Sequence, residues 1–332
     1  MHQNRRKADA PKVILTQKYQ DEAIEQLREA FNLIIVEGSG KSLPGILKEN
    51  PDTQALISFL SDPIGKEIMD LGKNLKIIAN YAVGYNNIDL KYAVAKGIPV
   101  TNTPDILTNA TADMTMALIL SVSRRIVEGD AFVREGKFNG WGANLMLGKE
   151  LNGSTIGIIG LGRIGLATAL RAKGFGLKVL YYDSSRKQDA DEKYGFQYKS
   201  FADVVKESDI VTLHIPSYPE VHHLFNKEIL DMMKRDSIFI NVARGDLADE
   251  KYLAEKLERK ELFGAGLDVY EFEPAVTDRL KQLKNVVLAP HLGSATYKAR
   301  LGMAQMTIDN VKAVFAGRTP PNLVLECRKL GE

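Results

Sequence analysis

Three polar residues in the C-terminal half of the chain each follow an apolar, strand-like run. They are Arg244 in Asn241-Val242-Ala243-Arg244-Gly245, Glu273 in Asp268-Val269-Tyr270-Glu271-Phe272-Glu273-Pro274, and His291 in Ala289-Pro290-His291-Leu292-Gly293. One guanidinium, one acid and one imidazole make a set suited to reducing a 2-keto acid. An arginine grips a carboxylate through two parallel hydrogen bonds. A histidine passes a proton to a carbonyl oxygen, and a carboxylate beside it favours the protonated ring near neutral pH. The spacings are those of strand-helix-strand excursions that return to one edge of a sheet, where ligands bind in open α/β folds. Taken alone, His291 reads as a buried histidine satisfied by backbone; the other two residues argue for a working one.

Upstream lies Thr155-Ile156-Gly157-Ile158-Ile159-Gly160-Leu161-Gly162-Arg163-Ile164-Gly165. An apolar strand runs into Gly160-x-Gly162-x-x-Gly165, and a helix-like stretch from Leu166 to Lys173 follows, the context that a dinucleotide fingerprint requires. The first glycine permits the turn, the second lets a pyrophosphate approach the backbone, and the third lets helix pack on strand. The helix N-terminus then offers free N–H groups and the positive end of its dipole. A second apolar strand, Lys178 to Tyr182, ends in Asp183. Its distance from the glycines is close to the roughly 20 residues expected of the acid that binds the adenosine ribose. Asp183 favours NAD(H), because a carboxylate repels a 2′-phosphate. Arg186 and Lys187 follow at once and keep NADP(H) open as a second cofactor. A glycine-rich turn without a ligand is the bland alternative.

These motifs need elements to position them. The order alternates strand and helix, hence an α/β class with largely parallel sheets. Strands are expected at Val13 to Thr16, Leu33 to Val36, Ala55 to Phe59, Ile77 to Asn80 and Pro99 to Thr101, with an amphipathic helix from Asp21 to Phe31. A long helix is expected from Thr108 to Arg125, then a loop around Phe138 to Leu147. After the glycine motif come strands at Ile210 to His214, Ile238 to Val242, Gly264 to Val269 and Val286 to Ala289. A last helix spans Ser294 to Phe315.

Composition suits a soluble enzyme of two domains: 332 residues, 45% hydrophobic, net charge +2. That balance gives no reason to expect a nucleic-acid partner or a membrane surface. The basic segment Met1 to Lys7 has no apolar run behind it and reads as a disordered tail rather than a signal peptide. The apolar stretch from Met114 to Val122 is short of the roughly 20 residues a membrane helix needs. A single cysteine, Cys327, makes no internal disulfide and fits a reducing cytoplasm. His222 and His223 form a pair in an expected surface turn, but no further metal ligand stands at suitable spacing, so no metal is expected. Glu271 reads as an exposed loop acid.

With Asn80-Tyr81-Ala82-Val83-Gly84-Tyr85-Asn86-Asn87-Ile88-Asp89, Thr103-Pro104-Asp105, Ala110-Thr111-Ala112-Asp113, His214-Ile215-Pro216 and the segments above, the chain resembles the D-2-hydroxyacid dehydrogenase family from about Lys12 to Pro320. The likeness is strongest to its glyoxylate/hydroxypyruvate reductase branch. The resemblance implies two doubly wound domains, one Rossmann-like and one flavodoxin-like. An NAD(P)-binding domain at 104–291 would be inserted into a discontinuous substrate domain at 1–103 plus 292–332. It implies that His291 is the acid in reduction, that Glu273 orients it, and that Arg244 binds the substrate carboxylate. Glu273 is preferred to Glu271 because it directly precedes Pro274.

The resemblance further implies substrate contacts from the Val83 and Gly84 amides and from Leu60 in a capping loop with Ser61. Cofactor contacts would come from Thr111, Gly160, Gly162, Gly165, the amides of Arg163 and Ile164, Asp183, His214, Pro216, Val242, Asp268 and His291. Asp268 would accept a hydrogen bond from the carboxamide. Trp141, Leu145 and Met146 lie where family homodimers exchange a segment. The chain departs from the family at Asn86, where many relatives carry Asp, and at Tyr218-Pro219, where a Thr is frequent. Glyoxylate and hydroxypyruvate are the expected substrates. Pyruvate and bulkier 2-keto acids are alternatives, since one methylene discriminates by only about 1–3 kcal/mol. An NAD(H)-sensing, corepressor-like scaffold is the alternative of another class, set against the absence of a long C-terminal tail.

Overall fold

The computed structural model describes residues 10–331; the basic segment from Met1 to Lys7 lies outside the described residues. The chain divides into two compact units, one formed by 1–107 with 296–332 and the other by 108–295. No helix of the described residues is long and apolar enough to cross a membrane.

The first unit carries five strands: β1 (Lys12–Leu15), β2 (Asn32–Ile35), β3 (Ala55–Phe59), β4 (Ile77–Tyr81) and β5 (Val100–Thr101). All pair in parallel, in the order β2-β1-β3-β4-β5. The central strands are apolar almost without break and buried along their length, as a parallel sheet covered on both faces requires. The order reverses between β1 and β3, the kind of switch point beside which open α/β sheets commonly bind ligands. Helix Asp21–Ala30 buries Ala23, Ile24 and Leu27 on one stripe and keeps acids in its first turn and Arg28 in its last, matching the helix dipole. The second stretch of chain contributes helix Tyr297–Phe315, capped by the Thr296 hydroxyl on Ala299 N–H at 3.2 Å. Its Thr307 hydroxyl meets the Tyr19 hydroxyl at 2.6 Å inside the unit.

The second unit holds seven strands: β6 (Thr155–Ile159), β7 (Lys178–Tyr182), β8 (Gln197–Tyr198), β9 (Ile210–Leu213), β10 (Ile238–Asn241), β11 (Gly264–Leu267) and β12 (Val286–Leu288). Their order is β12-β11-β10-β9-β6-β7-β8, all parallel, so the chain starts at the centre and winds outward in both directions. Each face carries its own core, one around Phe225, Phe239 and Leu253, the other around Ile156, Tyr181 and Ile240. Helix Thr108–Ser123 lies close on the sheet because β11 is Gly-Ala-Gly-Leu: a Cβ on Gly266 would sit 2.9 Å from Leu118 Cβ.

Element ends differ from the sequence expectation for identifiable reasons. The long helix stops at Ser123, Arg125 adopts φ +53, and a separate helix Ile126–Arg134 follows. That helix buries no residue. The helix after the glycine motif begins at Arg163 rather than Leu166, because its first residues, Arg163-Ile164-Gly165, carry little apolar pattern. Strand β11 ends at Leu267; Asp268 N–H still bonds the Asn241 carbonyl at 2.9 Å, while its side chain turns to the backbone of another loop.

Candidate active site

Arg244, Glu273 and His291 follow β10, β11 and β12, three adjacent parallel strands, so the sheet delivers them to one edge. His291 Nδ1 lies 3.0 Å from Glu273 Oε2. The other Glu273 oxygen accepts the Tyr270 N–H at 3.0 Å, which fixes the carboxylate. With Nδ1 held by Glu273, Nε2 is the nitrogen left to face a substrate. Burial raises the Glu273 pKa, but the His291 hydrogen bond and charge, the Tyr270 N–H and the Arg244 charge outweigh it, and the carboxyl ends below its ordinary range.

Arg244 is held from behind. The Asn241 side chain donates to the Arg244 carbonyl at 2.8 Å and accepts the Ala243 N–H at 3.0 Å, so one amide pins the whole turn. Arg244 Nη1 donates to the Ala243 carbonyl at 2.6 Å. Burial lowers the guanidinium pKa below its ordinary value, opposed by the charges of Glu273 and Asp246. Gly245 must follow, because a Cβ there would fall 1.8 Å from the carbonyl carbon of Tyr270. The Arg244 turn therefore presses directly on the loop that carries Glu273.

His291 itself sits at φ +54, a left-handed conformation uncommon for a residue with a side chain. Asp268, fully buried, holds it there by accepting Leu292 N–H at 2.6 Å and Gly293 N–H at 2.7 Å. Burial raises the Asp268 carboxyl, against these two N–H groups and the His291 charge. Thr111 donates to the Gly293 carbonyl at 3.1 Å. Val242, buried at 8% exposure, completes the end of β10.

At the centre of the same sheet, Gly160 turns the chain at φ +95, where a Cβ would strike the His214 carbonyl at 2.8 Å. A Cβ on Gly165 would lie 2.0 Å from the Gly160 carbonyl oxygen, so only glycine lets this helix start so close to the strand. Gly162 meets nothing within 4 Å, and as N-cap of helix Arg163–Gly174 it supplies no side-chain cap. The first turn, with Arg163 and Ile164, thus presents backbone N–H groups to open space, an anion cradle. Asp183 ends β7 with one oxygen on Leu161 N–H at 2.9 Å, locking the glycine turn to the acid. Donor N–H groups, glycine clearance and a carboxylate at this position fit a dinucleotide.

The second-cofactor question has a geometry. Arg186 pairs with Asp191 at 2.6 Å, away from Asp183, while Lys187 Nζ stands 3.4 Å from Asp183. His214 follows β9; the residue keeps part of its surface open, but its Nδ1 is closed from water and has no partner, and Nε2 meets the Thr212 hydroxyl at 3.1 Å. Burial pushes its pKa down to about 3, so the ring is neutral. Pro216 is exposed beyond it.

In the first unit, Val83 and Gly84 follow β4. Thr103 N–H donates to the Ala82 carbonyl at 2.9 Å, and Asn102 donates to the Val83 carbonyl at 2.8 Å. A trans peptide points its N–H opposite its C=O, so both contacts turn the Val83 and Gly84 N–H groups the other way, side by side. Asn80 steadies the turn through the Gly84 carbonyl at 2.9 Å. Leu60 sits in a loop pinned by Asp62, whose carboxylate accepts the Phe59 N–H at 2.7 Å and the Thr16 hydroxyl.

Two expectations change. Glu271 is not an exposed loop acid: its side chain is 11% exposed and pairs with His223 at 2.7 Å. It also supplies the third candidate ligand that the sequence spacing of His222 and His223 lacks. The residues missed altogether are positioning groups. Glu250, at 4% exposure, accepts Glu271 N–H and Thr277 N–H, each at 2.9 Å, and so clamps both ends of the Glu273 loop. Nothing in the local sequence marks it, because its partners lie more than twenty residues away in the chain and are backbone groups.

Residues 116–293 match the family model described as D-isomer specific 2-hydroxyacid dehydrogenase, NAD binding domain. The chain is 45% identical over 319 residues to glyoxylate reductase of Thermococcus litoralis, covering 95% of this chain and 96% of that one. Among solved structures, a protein of Thermus thermophilus superposes with a TM-score of 0.89 at 42% identity, covering 95% of this chain and 100% of that one. The NADPH-dependent glyoxylate/hydroxypyruvate reductase of Sinorhizobium meliloti, solved with NADP and malonate, gives 0.88 at 31% identity, covering 96% and 98%.

Proposed function

Because the chain belongs to the D-isomer specific 2-hydroxyacid dehydrogenases, we propose that it reduces glyoxylate or hydroxypyruvate to the corresponding 2-hydroxy acid, with NAD(H) preferred and NADP(H) accepted. The observation that carries this reading is the Glu273–His291 pair at 3.0 Å, set on strands adjacent to the Arg244 turn. When bound, a nicotinamide supplies the hydride that reaches the carbonyl carbon. His291 gives its Nε2 proton to the carbonyl oxygen as that oxygen gains charge, and Glu273 stabilises the imidazole through Nδ1. Arg244 grips the substrate carboxylate and polarises the carbonyl. In the first unit, the Val83 and Gly84 N–H groups are the donors suited to a carboxylate, and Leu60 lies in the loop after β3. In the alcohol-oxidising direction each proton movement reverses.

The glycine turn and the uncapped helix bind the pyrophosphate, and Asp183 takes the adenosine ribose hydroxyls. Thr111, His214, Pro216, Val242 and Asp268 line the rest of that groove. Asp268 already uses both oxygens on backbone N–H groups, so a carboxamide contact falls to its remaining lone pairs. The preference for NAD(H) rests on Asp183; Arg186 must leave Asp191 before it can reach a 2′-phosphate.

A homodimer and a cytoplasmic setting belong to the same proposal. Ile126, Val127, Val133, Phe138, Trp141 and Leu147 are all more than half exposed, Trp141 at 87%, a concentration of exposed apolar side chains within residues 126–147. The test is the initial rate of NADH oxidation with glyoxylate and with hydroxypyruvate, run beside NADPH. Rapid turnover with NADH, slower with NADPH, is the expected result. No turnover of either acid with either cofactor would refute the assignment.

A further inference from the structure

His222 and His223 stand in the turn that follows β9, and Glu271 in the loop that follows β11, far apart in sequence. The fold brings one ligand atom of each within 4.8 Å of the others. The two imidazoles stack with centroids 4.0 Å apart, and His223 Nε2 lies 2.7 Å from Glu271 Oε1. We propose that His222, His223 and Glu271 form a binding site for a divalent transition-metal ion of the zinc class, which ties the 222–223 turn to the loop carrying Glu273.

The donor set selects the ion. Two imidazole nitrogens and one carboxylate suit Zn2+ and its borderline neighbours, whereas Mg2+ and Ca2+ seek oxygen donors. Bonds of about 2.1 Å at a tetrahedral centre place ligand atoms about 3.4 Å apart. The widest separation here must therefore shrink by little more than an ångström, and the His223–Glu271 contact must open slightly, both within reach of side-chain torsions. The stacked rings splay so that each nitrogen lone pair meets the ion.

The backbone on either side of the gap is already fixed. His223 holds φ +50 with its N–H on the Asp246 carbonyl at 2.8 Å, and Phe225 bonds Leu247 at 2.8 Å just beyond. Glu271 N–H is held by Glu250. His222 is exposed, which gives the ion an entry path and leaves a fourth position for water. Glu271 stands two residues from Glu273, so an ion here braces the loop without occupying the His291–Glu273 pair.

The test uses the full chain, stripped with a chelator that is then removed, and titrated with ZnCl2 by calorimetry. One equivalent per chain is expected, with affinity weakened about tenfold or more in His223→Ala and in Glu271→Gln. A large excess of Mg2+ should not compete. Failure of the unaltered chain to bind one equivalent, affinity in the variants unchanged from that of the unaltered chain, or displacement by Mg2+ overturns the site. Co2+ reads the geometry on the unaltered chain, so the result survives a variant that fails to fold. A strong visible band of four-coordinate cobalt is expected, and the weak spectrum of a six-coordinate oxygen site contradicts the proposal.

Discussion

Replacing Glu250 by alanine removes a buried carboxylate that clamps the Glu273 loop at two points. Each lost bond joins a carboxylate to a backbone N–H, a contact worth about 1.5–3 kcal/mol. Two of them set a ceiling near 6 kcal/mol. Water reaching the half-buried Glu271 peptide offsets part of this, so a loss of about 3 kcal/mol is expected. For a unit of this size about 1 kcal/mol moves the thermal midpoint by about 2–4 °C, so the midpoint should fall by about 6–12 °C. Glu250→Gln keeps one acceptor oxygen and should recover about half of that loss. Because the loop carries Glu273, kcat measured well below the midpoint should also fall, by about tenfold if roughly 1.4 kcal/mol of positioning is lost. Scanning calorimetry and steady-state rates on both variants read the two effects. A midpoint within about 2 °C of the unaltered chain for Glu250→Ala would show that the clamp carries no weight.

Arg244→Lys should raise KM for the keto acid and lower kcat together, since a lysine cannot make the paired grip; retention of both constants would remove Arg244 from the substrate. Asp183→Ala frees the Leu161 N–H and removes the charge that repels a 2′-phosphate, so the NADH-to-NADPH ratio of kcat/KM should fall by about tenfold or more; an unchanged ratio contradicts that role. His214 is held at about 3 against an ordinary 6.5, so between those values the unfolded chain binds more protons than the folded one. Its contribution to stability is complete above about pH 6.5 and declines as pH falls. Glu273, depressed below its ordinary 4.5, adds a second decline in the same direction at lower pH. The thermal midpoint should therefore drop from pH 7 to pH 5, and His214→Phe should flatten that segment; an unaltered slope in the variant would show that His214 is not its source.

The sequence reading succeeds where function leaves a local mark. Gly160 and Gly165 are visible because a tight turn and close helix contact admit no Cβ, and the structure gives the clashes that enforce this, while Gly162 stands open where a ligand would approach the backbone. The strands are legible because parallel, doubly covered strands are unbroken apolar runs. Arg244, Glu273 and His291 are visible as types at the ends of such runs, but their register is not: the 3.0 Å contact arises only because β11 and β12 are neighbours in the sheet. The supporting groups leave no local mark. Glu250 and Asn102 act on backbone groups of distant segments, Asn241 and Asp62 chiefly on their own turns, and a polar residue beside a strand or at a helix start has many ordinary explanations. Helix Ile126–Arg134 is a separate case, since it buries none of its residues and Ile126, Val127 and Val133 stay more than half exposed.

The central claim is that His291 transfers the proton. The most direct test is kcat for His291→Ala with saturating NADH and glyoxylate, set beside the NADH dissociation constant of the same variant. A general acid typically contributes about 10²–10⁴-fold, so kcat should fall by that order while NADH affinity stays nearly unchanged. Turnover close to that of the unaltered chain would contradict the account.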